Sequence, residues 1–167
     1  ALFVARELTQ TQKLQPLFGG GGQENSLRPG TLNSAGIVGL GEACELAAGA
    51  VSKSAPGTLL LRDYFLSLLR GTFPEILIHG DLQKRLPHNL SFSLPGLEAE
   101  RLLLQCPELA LSTGAACAAS YGKPSHVLKA LGLSAELIHA SLRIGLLRET
   151  SKAELEKAVA LLLNATK

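Results

Sequence analysis

The chain has 167 residues, 46% of them hydrophobic, and carries a net charge of +2. This length and apolar fraction are enough for one domain with a sizeable core, and they exclude an intrinsically disordered chain. Because the Lys and Arg residues are scattered along the sequence, binding to nucleic acid or to a membrane surface through electrostatics is not expected.

The cysteines indicate the compartment. Cys44, Cys106 and Cys117 form an odd set without C-x-x-C spacing, which argues against a disulfide framework and against a structural zinc site. No apolar run approaches the roughly 20 residues needed to cross a bilayer, and no charged and then apolar leader opens the chain. We therefore expect no bound metal, no membrane association and a cytoplasmic location.

The predicted elements begin with an apolar run. Residues 1–5 are typical of a strand, whereas residues 6–15 are polar and predict a loop. The chain contains no Met, and its first residues lack a polar lead-in. We therefore expect a fragment or a processed product that starts inside a sheet.

A glycine-rich segment follows. Residues 19–22 are four consecutive glycines, and Arg28, Thr31 and Asn33 lie just ahead of a predicted helix. Hydroxyl, guanidinium and backbone N–H groups at the start of a helix predict an anion or phosphate site. The alternative is a glycine-rich turn in which Thr31 or Asn33 caps the helix.

Helices and short strands then alternate. A long, largely buried helix is predicted over residues 34–52 with Cys44 on its apolar stripe, and the segment containing Pro56 should end it before a second helix at 58–70. Strands are predicted over residues 75–79, 89–94 and 109–111, and a helix over residues 96–105.

Cys117 lies in a run of small residues that the third of these strands leads into. Without bulky neighbours, its thiol is open to a substrate or a partner protein and could act as a nucleophile. The alternative is an inert structural thiol, because free cysteines are among the most buried residues.

The last part of the chain contains an arginine in an apolar strand. Arg143 lies in a strand predicted over residues 141–147, where a guanidinium is costly unless it meets an anion such as a carboxylate. Otherwise the side chain reaches the surface or pairs with a Glu.

Short strands interleaved with helices make the fold α/β or α+β. The flanking helices are predicted over residues 124–133, 134–139 and, from a capping box of Ser151 and Glu154, 151–163.

Several of these segments, in this order, resemble one family. They are similar to motifs of the NifS-like, pyridoxal-phosphate-dependent cysteine desulfurases. The matching segments are Gly-Gly-Gly-Gln-Glu at residues 20–24, Arg-Pro-Gly-Thr-x-Asn at 28–33, Arg-Leu-Pro-x-Asn-x-Ser-Phe at 85–92, Ser-Thr-Gly-Ala-Ala-Cys at 112–117 and Ser-Leu-Arg at 141–143.

The resemblance implies the aminotransferase type I fold, of which this chain is the C-terminal portion. Residues 1–33 would be the end of the large cofactor domain, residues 34–52 the connecting helix, and residues 53–167 the small α+β domain with the cysteine loop. The lysine that binds the cofactor covalently would precede residue 1. Pyridoxal phosphate would then be bound mainly outside this chain, and we expect the chain alone to be inactive.

The resemblance also implies residue roles. Cys117 matches the nucleophile that takes sulfur from L-cysteine, giving L-alanine and a persulfide for a sulfur acceptor or iron–sulfur scaffold protein. Arg143 matches the residue that binds the substrate carboxylate. Thr31 matches the hydroxyl that reaches the cofactor phosphate of the neighbouring subunit in a homodimer. Two alternatives stay open: a selenocysteine lyase, which has a similar layout, and a sulfur-carrier or interaction module without cofactor.

Overall fold

The structure, a computed structural model, describes residues 2–10, 14–114 and 124–166. The chain divides into two compact units, Ala1–Ala48 and Gly49–Lys167. Cys117 lies outside the described residues. The elements, in chain order, are α1 Arg6–Gln10, α2 Ser34–Thr72, β1 Leu77–Ile78, β2 Asn89–Ser93, α3 Ala99–Gln105, β3 Ser112–Thr113, α4 His126–Ala130, α5 Ala135–His139, β4 Ser141–Gly145 and α6 Lys152–Asn164.

The start of the first unit differs from the prediction. Residues 2–5 form no strand, and residues 6–10 form the helix α1 instead of a loop. A strand needs a neighbour to accept and donate its backbone hydrogen bonds, and the described part of this unit contains no other strand. The apolar run therefore has the composition of a strand, but the described part of this unit offers it no strand to pair with.

Helix α2 is one helix rather than the predicted two. It runs from Ser34 to Thr72 with Pro56 inside it. Pro56 removes one backbone hydrogen bond, but apolar residues at helical spacing continue on both sides and keep the helix intact. Two hydroxyls beside the proline bond back to the helix: Ser54 Oγ donates to Ala50 O at 2.9 Å and Thr58 Oγ1 donates to Ser54 O at 3.0 Å.

The first half of α2 is exposed, although it was predicted to be buried. Cys44 is exposed as well, and none of the window Ser34–Val51 is buried. By length and composition this window is apolar enough to cross a membrane, so the expectation that no run comes close was wrong. The finding is weak evidence for a membrane span, because core helices of soluble proteins pass the same test. Glu42 and Glu45 within the window would also be costly inside a bilayer.

The second unit contains a four-stranded antiparallel sheet in the order β1-β2-β4-β3. β2 and β4 turn alternate apolar side chains to one face, where Phe92 is fully buried. Truncating such a Phe to Ala typically costs about 3–5 kcal/mol. The core on this face comprises Leu90, Phe92, Leu142 and Ile144 of the sheet together with Phe65 and Leu69 of α2, Leu102 of α3, and Leu155, Val159 and Leu162 of α6.

Local signals predicted the end of the chain well. Ser134 caps α5 by accepting a hydrogen bond from Leu137 N, and the capping box of Ser151 and Glu154 at α6 is present in both directions. β3 lies at Ser112–Thr113 rather than at residues 109–111, because its register with β4 fixes where it pairs. The predicted α+β small domain is thereby confirmed, whereas its boundaries at residues 33 and 52 stay a prediction.

Candidate functional site

Arg143 occupies the middle of β4, on the side of the sheet away from the core. Its neighbours Leu142 and Ile144 are buried, whereas Arg143 is exposed. The predicted cost of burying a guanidinium in an apolar strand therefore does not arise, since strand alternation carries this side chain to the surface. Among the described residues the ion pairs are Arg62–Asp63 and Arg148–Glu149, so none of them neutralises Arg143.

Polar side chains flank Arg143 on both neighbouring strands. Arg143 is the register partner of Ser91 in β2 and of Ser112 in β3. His79, just after β1, continues the series, because its backbone N–H donates to Ser91 O at 2.9 Å. Residues opposite one another share a face of an antiparallel sheet. We call this series across the sheet, His79–Ser91–Arg143–Ser112, the polar row.

His79 is the buried end of the polar row, with 5% of its surface exposed. Its Nδ1 lies 3.0 Å from Ser91 Oγ and its Nε2 lies 2.7 Å from Ser93 Oγ. Burial and, to a lesser extent, the nearby charge of Arg85 lower the pKa of His79. The ring is therefore neutral at pH 7.

Arg85 holds the loop after β1 in place. Its Nε donates to Asp81 O at 2.8 Å, and another N–H of the same guanidinium donates to His79 O. Asp81 in turn accepts from the backbone N–H groups of Gln83 and Lys84, and these two hydrogen bonds lower the pKa of its carboxyl. This turn fixes the backbone on which His79 is carried.

Gly114 marks the base of the segment that contains Cys117. Its N–H donates to Ser141 O at 2.9 Å, two residues before Arg143 in β4. A Cβ at this glycine would lie 2.6 Å from Leu128 Cδ1 and 2.8 Å from Ser141 Cβ, so no side chain fits there. At the far end of the segment, Ser125 caps α4 by accepting from Leu128 N. Ser141 of β4 and Leu128 of α4 thus both pack against Gly114, at the start of the Cys117 segment.

Thr31 lies in the first unit and is exposed. It follows Gly30, whose φ of 97° lies in the left-handed region that favours glycine. The cap of α2 is Asn33, whose Oδ1 accepts from Gly36 N at 3.0 Å. Of the two predicted capping residues, Asn33 therefore does the capping, and the Thr31 hydroxyl is left for other contacts.

The other two cysteines differ in environment. Cys106 is buried, and its Sγ lies 3.5 Å from Leu161 O. Burial, assisted by Glu108, raises the pKa of this thiol, which makes it a poor nucleophile. Cys44 is exposed on α2. Within the described ranges no group of three His, Cys, Asp or Glu side chains could hold a metal ion.

Sequence reasoning missed Ser91 and Ser112 as the cross-strand neighbours of Arg143, and His79 as the neighbour of Ser91. The alternation of Asn89, Ser91 and Ser93 in β2 did signal a polar face. Which strand would lie beside Arg143 was set by the sheet order, and no local pattern carries that information.

Comparison with known proteins supplies the family. The aminotransferase class-V family matches residues 2–158. The chain is 39% identical over 150 residues to the cysteine desulfurase IscS of Rickettsia typhi, covering 90% of this chain and 37% of that protein. It is 41% identical over 162 residues to the cysteine desulfurase IscS of Neisseria gonorrhoeae, covering 97% of this chain and 39% of that protein.

Solved structures agree with the sequence relatives. A NifS-like protein superposes with a TM-score of 0.75 and 29% identity, covering 91% of this chain and 39% of its own. A NifS-like protein from Rickettsia africae gives a TM-score of 0.78 and 26% identity, covering 91% and 40%. The chain thus spans well under half the length of the proteins it matches. It has the fold of part of a NifS-like aminotransferase, as predicted, and it belongs to the aminotransferase class-V family, in which its relatives are cysteine desulfurases.

Proposed function

We propose that the complete protein is a pyridoxal-phosphate-dependent cysteine desulfurase, which converts L-cysteine to L-alanine and leaves the sulfur as a persulfide on Cys117. The observation that carries the proposal is the exposed guanidinium of Arg143 on the strand to which Gly114, at the start of the Cys117 segment, is hydrogen-bonded, in a chain similar to IscS proteins over nine-tenths of its length. An amino acid substrate needs a fixed cation for its carboxylate and a nucleophile within reach of its side chain.

Arg143 would bind the carboxylate of L-cysteine. A planar guanidinium donates two parallel N–H···O hydrogen bonds to a carboxylate. This arrangement orients the substrate and also strengthens its binding. Because none of the ion pairs among the described residues uses Arg143, its N–H groups are available to a ligand.

Cys117 would accept the sulfur. Its thiolate attacks the sulfur of the substrate, an S–S bond forms, and the C–S bond breaks with its electron pair staying on carbon. That carbon takes up a proton, so L-cysteine and the Cys117 thiol give L-alanine and the Cys117 persulfide with atoms and electrons in balance.

The family implies pyridoxal phosphate, which when bound supplies an electron sink for the amino acid carbon. Its phosphate is an anion that hydroxyl groups hold well. Thr31 fits that use because it is exposed and does not cap α2. We infer that Thr31 donates its hydroxyl to the phosphate bound in the neighbouring subunit of a homodimer, and that most of the other cofactor contacts come from outside this chain.

The remaining parts of the proposal concern location and partners. We propose that residues 1–33 are the end of the cofactor domain, residues 34–52 the connecting helix, and residues 53–167 the small domain. We also propose that the enzyme is cytoplasmic. The persulfide would pass to a sulfur acceptor, such as a scaffold protein for iron–sulfur clusters.

The test is turnover of L-cysteine by the complete enzyme carrying Cys117→Ala. We expect sulfide release under reducing conditions to be abolished, while binding of L-cysteine to the cofactor, followed by absorption spectroscopy, survives. Cys44→Ala is the matched control, because it removes an exposed thiol that has no role in the proposal.

The outcomes separate the alternatives. Full turnover in the Cys117→Ala enzyme would remove this thiol from the reaction. Sharp discrimination against cysteine in favour of selenocysteine would instead identify a selenocysteine lyase. Failure of the parent enzyme to form alanine from either substrate would favour a sulfur-carrier module.

A further inference from the structure

The donor and the acceptor of each hydrogen bond around His79 can be assigned from the groups that each serine contacts. Leu137 O in α5 accepts from two hydroxyls, since Ser93 Oγ and Ser141 Oγ each donate to it at 2.7 Å. A carbonyl oxygen can only accept, so each of these serines donates its single hydroxyl proton to Leu137 O. Ser93 therefore has no proton left for His79.

This assigns the tautomer of His79. Its Nε2 lies 2.7 Å from Ser93 Oγ, which can only accept there, so Nε2 carries the ring proton. In the neutral ring Nδ1 is then an acceptor. The contact of 3.0 Å between Nδ1 and Ser91 Oγ is consequently a hydrogen bond that Ser91 donates.

The orientation of Ser91 follows from that bond. Its only proton points at His79, so toward the next strand the oxygen presents lone pairs alone. The next residue across the sheet is Arg143, a pure donor with five N–H groups. A carboxylate bound in bidentate fashion uses two of those five, which leaves N–H groups for a neighbouring acceptor.

We propose that His79 and Ser91 position Arg143 for its carboxylate ligand: His79 turns the Ser91 hydroxyl so that its oxygen faces Arg143, its partner in register, and accepts an N–H of the guanidinium when the carboxylate is bound. Both are positioning residues, because neither contacts the substrate. The inference rests on the proposed role of Arg143. It gives a role to the neutral imidazole that lies between Ser91 and Ser93, on the strand paired with the one that carries Arg143.

The groups that face His79 come from each element around it. Arg85 approaches from the loop after β1, and Ser91 and Ser93 approach from β2. Ser141 of β4 contacts Ser93 and not the ring. In this described set Arg85 is the charged member, and its charge favours the neutral ring that the assignment requires.

The experiment measures kcat and KM for L-cysteine in the complete enzyme with substitutions at both positions. Ser91→Ala removes the acceptor, and we expect KM to rise about fivefold to tenfold with kcat little changed. Ser91→Thr keeps the hydroxyl, and threonine is favoured in strands, so its KM should stay within about twofold of that of the parent enzyme. His79→Leu should raise KM about threefold or more, whereas His79→Asn, whose amide oxygen replaces Nδ1 as acceptor, should recover most of that loss.

A second readout does not depend on turnover. Calorimetric titration of the complete enzyme with 3-mercaptopropionate, a substrate analogue without the amino group, reports binding of the carboxylate alone. Its affinity should fall in Ser91→Ala and His79→Leu by the same factors as KM rises. His88→Leu, a change of an exposed histidine in the same connection, is the matched control and should alter neither quantity.

The outcomes distinguish this inference from the proposed function. If Arg143→Gln leaves the affinity for 3-mercaptopropionate unchanged, the carboxylate role of Arg143 fails. If Arg143→Gln abolishes binding while Ser91→Ala and His79→Leu leave affinity and KM as they were, positioning by His79 and Ser91 is wrong. A fall in kcat with unchanged KM in these variants would also overturn it, since that pattern marks a general structural defect.

Discussion

At the scale of the residue, the proposed site centres on Arg143. It stands on the exposed side of a sheet, between hydroxyl-bearing neighbours on both flanking strands. A surface arginine without a function usually forms weak, screened pairs with carboxylates. Here the nearest residues across the sheet are serines, which leave its charge for an external anion.

Replacing Arg143 by Lys tests this role in the complete enzyme. We expect KM for L-cysteine to rise about tenfold or more, because a compact ammonium replaces a planar fork and at least one charge-assisted hydrogen bond of about 1.5–3 kcal/mol is lost. Cofactor binding, followed by absorption, should be normal. Arg101→Lys, an exposed arginine in α3, serves as the control. An unchanged KM in Arg143→Lys would count against the carboxylate role.

His79 gives a prediction about pH. Its pKa in the folded protein lies below the ordinary value of 6.5, chiefly through burial, so below that value the unfolded chain binds a proton that the folded chain does not. The free energy of unfolding is therefore unaffected by His79 above about pH 6.5, and it falls as the pH decreases from there toward the lowered pKa. Unfolding of the complete protein by urea, followed between about pH 5 and 8, should show this loss.

The control for the pH effect is a pair of histidine substitutions. His79→Asn should flatten the loss below pH 6.5, the ordinary value for this group, while His88→Asn should leave it in place. The same slope in His79→Asn as in the parent protein would mean that another group is responsible.

At the scale of the element, Gly114 joins β3 to the segment of Cys117. It packs so closely on Ser141 and Leu128 that a Cβ would overlap both side chains. Gly114→Ala must therefore move the start of that segment, and we expect kcat for desulfuration to fall about tenfold or more, because a thiol displaced by about 1 Å loses its attack geometry. KM for L-cysteine should change little.

Gly145→Ala is the matched control for Gly114, because it lies at the end of β4 with open space where its Cβ would be. It should leave the kinetics as they are. Equal effects of the two substitutions would show that the sheet in general, and not the attachment of the Cys117 segment, determines the rate.

Elements also show how far sequence can predict this fold. Ser134, Ser151 and Glu154 were identified correctly as capping residues, because a cap involves residues within one turn. Residues 2–5 form no strand and β3 lies beyond its predicted position, because strand pairing depends on partners far away in the chain. Pro56 was taken as the end of a helix, but losing one hydrogen bond does not end a helix whose apolar pattern continues.

The same division holds for the site. Arg143 and Thr31 could be named from motifs, and the structure places both on the surface. The roles proposed for His79 and Ser91 could not be inferred from sequence, since they depend on which strands are neighbours and on the direction of each hydrogen bond.

At the scale of the whole molecule, the chain spans 37–39% of its curated relatives. The proposed activity is therefore to be measured in the complete protein. The exposed apolar side chains of the first unit, among them Leu2, Phe3 and Val38, make this unit poorly suited to study on its own.

The most direct test of the account is to locate the sulfur. The complete enzyme is incubated with L-cysteine, its thiols and persulfides are alkylated, and the digest is analysed by mass spectrometry. If Cys117 is the sulfur acceptor, the peptide that contains it carries one extra sulfur atom, in an amount that matches the alanine formed in a single turnover. Alanine formation with the extra sulfur on the Cys44 or Cys106 peptide, or with none on Cys117, would contradict it.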